Sequence, residues 1–288
     1  DNHGMPIESA IIKEQKLNRK QMSVPEFRTA CHNYAQKYID IQMAGFKRMG
    51  VLGDWEHPYK TMDPGFEAEE VKVFGAMYKK GYIYKGLKPV YWCPKDETAL
   101  AEAEIEYSDE TSPSIFVRFE MTSKPAGLEN FDGPVDFIIW TTTPWTIPSD
   151  QAVSLKPGAA YVAVEHEGRA EVMLEDLAPK CCEEFGWEYT PVMVDGKPYV
   201  VPAETFHHIH YKQPIFDGVE GVALLADYVG VDDGTGIVHN SPGHGVDDYF
   251  ACLKEGITDI CMPVDDDGKF YTGEEFGTGG PFSGMDTD

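Results

Sequence analysis

No stretch of the chain approaches the roughly 18–20 consecutive apolar residues that cross a bilayer, so no membrane-spanning helix is expected. The start carries no basic segment followed by an apolar one, so no secretory leader is expected either. The six cysteines, at 31, 93, 181, 182, 252 and 261, show no paired spacing. A chain of 288 residues with 42% apolar and 12% aromatic content can build a core without covalent staples, and reduced thiols in a cytoplasmic protein are the reading. Positive charge is scarce: 24 Lys and Arg stand against 49 Asp and Glu, a formal net charge of −25. That balance argues against tight non-specific nucleic-acid binding, which needs cations at the phosphates. It leaves room for a local basic patch, and the first 90 residues are richest in Lys and Arg.

Several catalytic and metal signatures are also missing. There is no Gly-x-Ser-x-Gly elbow and no Cys/His pair that would mark a nucleophile, so a hydrolase of this sequence would use positioned water. His207-His208-Ile209-His210 would alternate between the two faces of a strand, Asp265-Asp266-Asp267-Gly268 is too compressed for a calcium loop, and Cys93-Pro94-Lys95-Asp96 has only one thiol. No metal site is expected. Internal repeats and low-complexity tracts are absent. Both ends read as cut from something longer.

What is present divides near residue 105. Ser23 and Glu26 have capping-box spacing and open a helix over 23–49, with Phe27, Cys31, Tyr34, Tyr38 and Ile41 on one face. Asp63 and Pro64 open a second helix that runs to Gly81, and 82–93 reads as extended. Beyond about residue 110 the pattern alternates. Strands are expected at 115–119 and 135–141, with a hairpin turning at Glu167-Gly168. A short helix is expected within 175–185, further strand pieces near 192–194, 199–201, 222–225 and 236–239, and a helix over 249–254. The expected fold class is α+β: residues 1–105 form a helical and extended connecting segment, and residues 106–288 a mostly β, barrel-like domain with short helices.

Two segments carry chemistry. Trp140-Thr141-Thr142-Thr143-Pro144-Trp145-Thr146 puts four hydroxyls and two indoles within seven residues, after the apolar run Phe137-Ile138-Ile139. Hydroxyls donate and accept, so the cluster suits an ester, ribose or carbonyl ligand. A run of β-branched strand residues ending at a turn would look similar. About ninety residues later come Gly234-Thr235-Gly236-Ile237-Val238-His239 and Gly243-His244-Gly245-Val246-Asp247-Asp248-Tyr249. Asp248 sits where a helix start favours a carboxylate, and could equally hold an ammonium group. The glycines would let backbone approach a ligand closely.

Together these segments resemble the central part of class I isoleucyl-tRNA synthetases of bacterial type. Asp1-Asn2-His3-Gly4-Met5-Pro6-Ile7-Glu8, Asp54-Trp55, Pro58-Tyr59-Lys60-Thr61-Met62, Gly86-Leu87-Lys88-Pro89-Val90-Tyr91-Trp92-Cys93-Pro94 and Ala99-Leu100-Ala101-Glu102-Ala103-Glu104 are similar to the family's segments leading into its insertion. The Thr-rich heptad, the Gly234–His239 run and Gly243-His244-Gly245 with Asp248-Tyr249 resemble its editing site. Thr-Thr-Thr-Pro-Trp favours the isoleucyl branch over the valyl and leucyl relatives, which carry Thr-Thr-Arg-Pro. The His-Ile-Gly-His and Lys-Met-Ser-Lys-Ser motifs that bind ATP in class I synthetases are absent, and Asp96 stands where some relatives have a zinc-binding Cys.

The resemblance implies an editing (connective polypeptide) domain that hydrolyses Val-tRNA(Ile) and spares Ile-tRNA(Ile). It implies catalytic roles for Thr141, Thr142, Thr143 and Asp248, with Asp248 on the ammonium of the mischarged amino acid. Trp145, Thr146 and His239 would shape the substrate pocket, His239 as the size gate. It implies no cofactor in this segment (ATP and Mg belong to the parent ligase), and as partners the 3′ end of valine-charged tRNA(Ile) and the remainder of the synthetase, with no membrane. A non-catalytic tRNA-positioning module, and a stretch of ligase with no activity of its own, are the alternatives.

Overall fold

The computed structural model describes residues 4–16 and 19–287. Asp1 and His3, at the start of the first segment that carries the resemblance, lie outside the described residues. The chain divides into two compact units, Asp1–Gly86 and Leu87–Asp288.

The first unit is helical. α1 (Gly4–Gln15) packs on α2 (Val24–Arg48), burying Ile11, Phe27 and Ala35. Glu26 accepts hydrogen bonds from the Ser23 backbone N–H at 3.0 Å and its hydroxyl at 2.7 Å, so the expected cap fixes the start of α2. Tyr38 and Ile41, on the face read as apolar, remain exposed. α3 (Pro64–Lys79) begins after Asp63 as expected and buries none of its residues.

The second unit opens with a hairpin, β1 (Tyr91–Cys93) and β2 (Thr98–Leu100), whose turn sets Cys93 Sγ 3.8 Å from Asp96 Oδ2. Then come β3 (Ile115–Glu120), β4 (Val135–Thr141), β5 (Ala152–Leu155), β6 (Ala160–His166) and β7 (Arg169–Leu174). Glu167 and Gly168 take positive φ values of 49° and 77° and close the β6–β7 hairpin as predicted. α4 (Ala178–Phe185) precedes β8 (Met193–Val194), β9 (Lys197–Pro198), β10 (Val200–Pro202), β11 (His210–Lys212), β12 (Glu220–Leu225) and β13 (Ile237–Asn240). α5 (Val246–Lys254) follows.

Besides the two-stranded pairs β1-β2 and β8-β9, two larger sheets result: a five-stranded one in the order β10-β6-β7-β4-β3, and a four-stranded one in the order β11-β12-β5-β13. Phe119, Phe137, Ile139, Tyr161, Phe206 and Tyr211 are fully buried in the core cluster they share. Phe119 stacks on Tyr211 at 5.1 Å, and Phe137 meets Phe206 edge-on at 5.7 Å.

The α+β class stands, but the barrel-like detail does not. Closure needs every strand to have two ladder neighbours. Among the described residues, the two larger sheets pack together but share a single ladder bridge, Met121 to Tyr211, and β10 and β13 keep open edges. β10 is three residues long and ends in Pro202, which has no N–H to offer a further strand.

The chain passes from one sheet to the other directly after β4. Thr143 caps a 3₁₀ turn, Pro144–Ser149, that delivers the chain to β5. The Thr-rich segment is thus the crossing point between the sheets, and β13 runs beside both β5 and β4 there.

Candidate active site

The crossing brings most of the predicted residues into one hydrogen-bonded network. Thr141 ends β4 nearly buried, its Oγ1 3.2 Å from Thr143 Oγ1 and accepting the Thr143 N–H at 3.1 Å. Thr146 donates its hydroxyl to the Thr143 carbonyl at 2.8 Å and lies 3.1 Å from His239 Nε2 on β13. The Thr146 carbonyl accepts the Ser241 hydroxyl at 2.7 Å, and the Ser241 backbone N–H donates to Asp248 Oδ2 at 3.0 Å. Ser241 therefore joins the hydroxyl cluster to the first turn of α5.

Asp248 is half-buried and well held. Its Oδ1 accepts from Tyr228 Oη at 3.1 Å and Asn240 Nδ2 at 3.0 Å, and its Oδ2 from Ser241. A carboxylate has about four acceptor positions, so one remains, on Oδ2. Beside that atom is Gly245, where an added Cβ would lie 2.6 Å from Oδ2. The glycine keeps the remaining acceptor position open.

His239 is 6% exposed, and its ring is hydrogen-bonded at Nε2. Nε2 meets Thr146, and Nδ1 faces Asp150 Oδ1 at 3.5 Å. Asp150 is fully enclosed and accepts a hydrogen bond from Tyr211 Oη on its other oxygen. Burial pushes the Asp150 carboxyl above its ordinary range, against the opposing pull of His239 and Tyr211.

Trp145 is half-buried, with its ring 4.8 Å from that of His244 at a steep angle. Burial, then the neighbouring His239, lowers His244 to about 4, so it is neutral at pH 7. Thr142 and Thr143 are exposed, and among the described residues no hydrogen bond is made by the Thr142 side chain. Thr142 and Trp145 are thus the predicted residues that the hydrogen-bonded network does not include.

Sequence reasoning missed Asp150, Tyr211, Tyr228, Asn240 and Ser241, and gave His244, quoted within its motif, no role. Asp150 and Ser241 stand just outside named elements, and only their contacts across the fold show what they hold. Two open clefts of about 510 and 580 Å3 lie elsewhere, one lined by residues of α1, α2 and α3 such as Ile7, Phe27 and Glu67, the other by Ile215, Phe216 and Phe276. Neither is lined by a residue of the network. The network gives a surface with donors, acceptors and one anchored anion, suited to holding an ammonium group and an ester and to orienting water.

Residues 1–226 match the family model for class I tRNA synthetases (I, L, M and V). The chain belongs to that family. This synthetase chain is 46% identical over 277 residues to an isoleucine–tRNA ligase of Natranaerobius thermophilus, covering 94% of the chain and 28% of that relative. It is 43% identical over 285 residues to one of Acholeplasma laidlawii, covering 99% of the chain and 30% of the relative. The isoleucyl resemblance read from the motifs is met by these relatives, and the synthetase chain spans less than a third of their length. Among solved structures, it bears a distant likeness to a P. falciparum cytosolic leucyl-tRNA synthetase editing domain (18% identity, TM-score 0.36, 47% of this chain and 54% of that one). Among the described residues of the synthetase chain, no helix is long and apolar enough to cross a membrane.

Proposed function

We propose that this chain is the editing segment of an isoleucine–tRNA ligase and hydrolyses valine from mischarged tRNA(Ile). A single apolar pocket gains only about 1–3 kcal/mol from one methylene, a general limit for which isoleucyl enzymes are the standard case and not a quantity read from this chain. A second, smaller site that destroys the valyl ester resolves that limit. The observation that carries the reading is the anchored Asp248, with one acceptor position left, wired through Ser241 and Thr146 to the hydroxyls at the end of β4.

In this reading Asp248 takes the α-ammonium of the aminoacyl ester by a charge-assisted hydrogen bond. Thr143 and Thr142, the exposed hydroxyls, face the terminal adenosine and the lytic water, and Thr141 holds Thr143 in place. His239 is a fixed back wall of the side-chain pocket, with Thr146 locking its ring and Trp145 beside it. Fixed groups lower the barrier by orienting ester and water without reorganising. No cofactor takes part, and ATP and Mg serve the parent ligase. The partners are the 3′ end of valyl-tRNA(Ile) and the rest of the synthetase, in the cytoplasm.

The test is deacylation by the purified chain. Valyl-tRNA(Ile) is expected to be cleaved well above the spontaneous rate and isoleucyl-tRNA(Ile) spared. Binding of tRNA without cleavage of either ester would instead mark a positioning module.

A further inference from the structure

His207 and His208 do not alternate as strand residues would. They precede β11, in a turn closed by the Ile209 N–H on the Phe206 carbonyl at 2.9 Å. His208 takes φ +65°, a left-handed conformation that breaks the alternation. Both rings therefore fall on one side, 3.8 Å apart. They point at Glu255, the residue that ends α5. Glu255 Oε2 lies 3.1 Å from His208 Nε2 and 3.6 Å from His207 Nε2.

We propose that His207, His208 and Glu255 form a binding site for one divalent transition-metal ion of the zinc type. Zinc bonds of about 2.1 Å at tetrahedral angles put neighbouring ligand atoms roughly 3.4 Å apart. The two nitrogen-to-oxygen separations bracket that value, and one ligand atom from each residue lies within 4.8 Å of the other two. His207 Nε2 is also buried without a hydrogen-bond partner. A buried ring nitrogen is rarely left so, and a metal bond would satisfy it. Two imidazoles and a carboxylate suit zinc, cobalt or nickel, whereas magnesium and calcium take oxygen ligands.

The scaffold is firm on both sides. The His208 N–H donates to the Ala223 carbonyl at 2.8 Å, and the Glu255 N–H to the Cys252 carbonyl at 3.1 Å. The hydrogen bond with the His208 ring holds the Glu255 carboxyl below its ordinary range. The ion would tie the end of α5 to the turn before β11 and take no part in the ester chemistry.

The experiment is titration of the chelator-treated chain with Zn2+ by calorimetry and with Co2+ by visible absorption. One equivalent and the intense bands of tetrahedral Co2+ are expected. His207→Ala, His208→Ala and Glu255→Gln, each checked for fold by circular dichroism, should weaken binding by at least about tenfold, the loss typical even of outer-shell partners. His210→Ala should leave it unchanged. The assignment is overturned if Zn2+ fails to bind, if His210→Ala weakens binding as much as the other three, or if binding survives all three and is lost in Cys93→Ser, which would place the ion at the β1–β2 hairpin.

Discussion

His239 Nδ1 and Asp150 Oδ1 face each other at 3.5 Å, both buried, and neither has a hydrogen-bond partner. The Thr146 hydroxyl gives its proton to the Thr143 carbonyl, so His239 Nε2 must donate to Thr146. A neutral ring then has a bare Nδ1 toward Asp150. A proton on the Asp150 carboxyl, which burial favours, would join the two.

Asp150→Asn tests that proton. The amide supplies an N–H to His239 Nδ1 and an oxygen for Tyr211. A raised carboxyl contributes stability that is present at low pH and lost as pH rises through its folded value. The variant should therefore exceed the parent by about 1–2 kcal/mol in urea unfolding at pH 8, with the gain shrinking toward pH 5. An equal gain at both pH values would mean that no proton is held there.

Asp248→Ala is expected to abolish deacylation of valyl-tRNA(Ile). It also leaves Asn240, Tyr228 and Ser241 without their acceptor, a cost of about 1–3 kcal/mol. Circular dichroism should still report the native fold. Normal deacylation by the folded variant would remove Asp248 from the site.

Gly245→Ala separates anchoring from chemistry. Its methyl would sit 2.6 Å from Asp248 Oδ2, on a carboxylate that three donors hold in place. KM for valyl-tRNA(Ile) should rise at least several-fold, with a smaller change in stability than Asp248→Ala. An unchanged KM would show that the ammonium does not approach from this side.

His239→Ala should enlarge the pocket and let isoleucyl-tRNA(Ile) be hydrolysed. Continued sparing of that ester, measured beside valyl-tRNA(Ile), would mean that another group sets the size limit.

A fifth expectation concerns stability against pH. Glu171 is buried on β7 in register with Asp136 on β4, and burial, then the Asp136 charge, raises it to about 7 against Arg118. Its contribution is present below the ordinary value and lost as pH rises toward 7. His244, lowered to about 4, works the other way: its contribution is lost as pH falls below the ordinary histidine value. The two oppose each other between about pH 4.5 and 6.5. Glu171→Gln should therefore gain on the parent from pH 5 to pH 8, by up to about 3 kcal/mol. A pH-independent difference between the two proteins would contradict this.

The parts legible in the sequence are those set by near neighbours. Ser23 with Glu26, Asp63 with Pro64, and Glu167 with Gly168 each declare a cap or a turn within a few residues. The hydroxyl heptad, His239 and Asp248 were legible as types at the ends of elements. The rest depends on distant partners. Asp150 matters only because Tyr211 and His239 reach it from other strands, and Asn240 only because Ser154, Tyr228 and Asp248 surround it. The barrel-like expectation failed because alternation shows which residues face inward and not whether the last strand finds the first. The histidine run misled because one left-handed residue, His208, cancels strand alternation.

The crossing at Pro144–Ser149 also bears on how the protein matures. Thr146, in the 3₁₀ turn, meets His239 on β13 and Ser241 just beyond it across 93 and 95 residues. Contacts of such long sequence separation form late, because the loop between them must be closed first. In the proposed reading, a nascent chain that has not yet placed β13 beside β5 would lack the assembled cluster and could not cleave esters prematurely. Recovery of deacylation during refolding would then trail the recovery of far-ultraviolet signal, making hydrolysis a marker of the finished molecule.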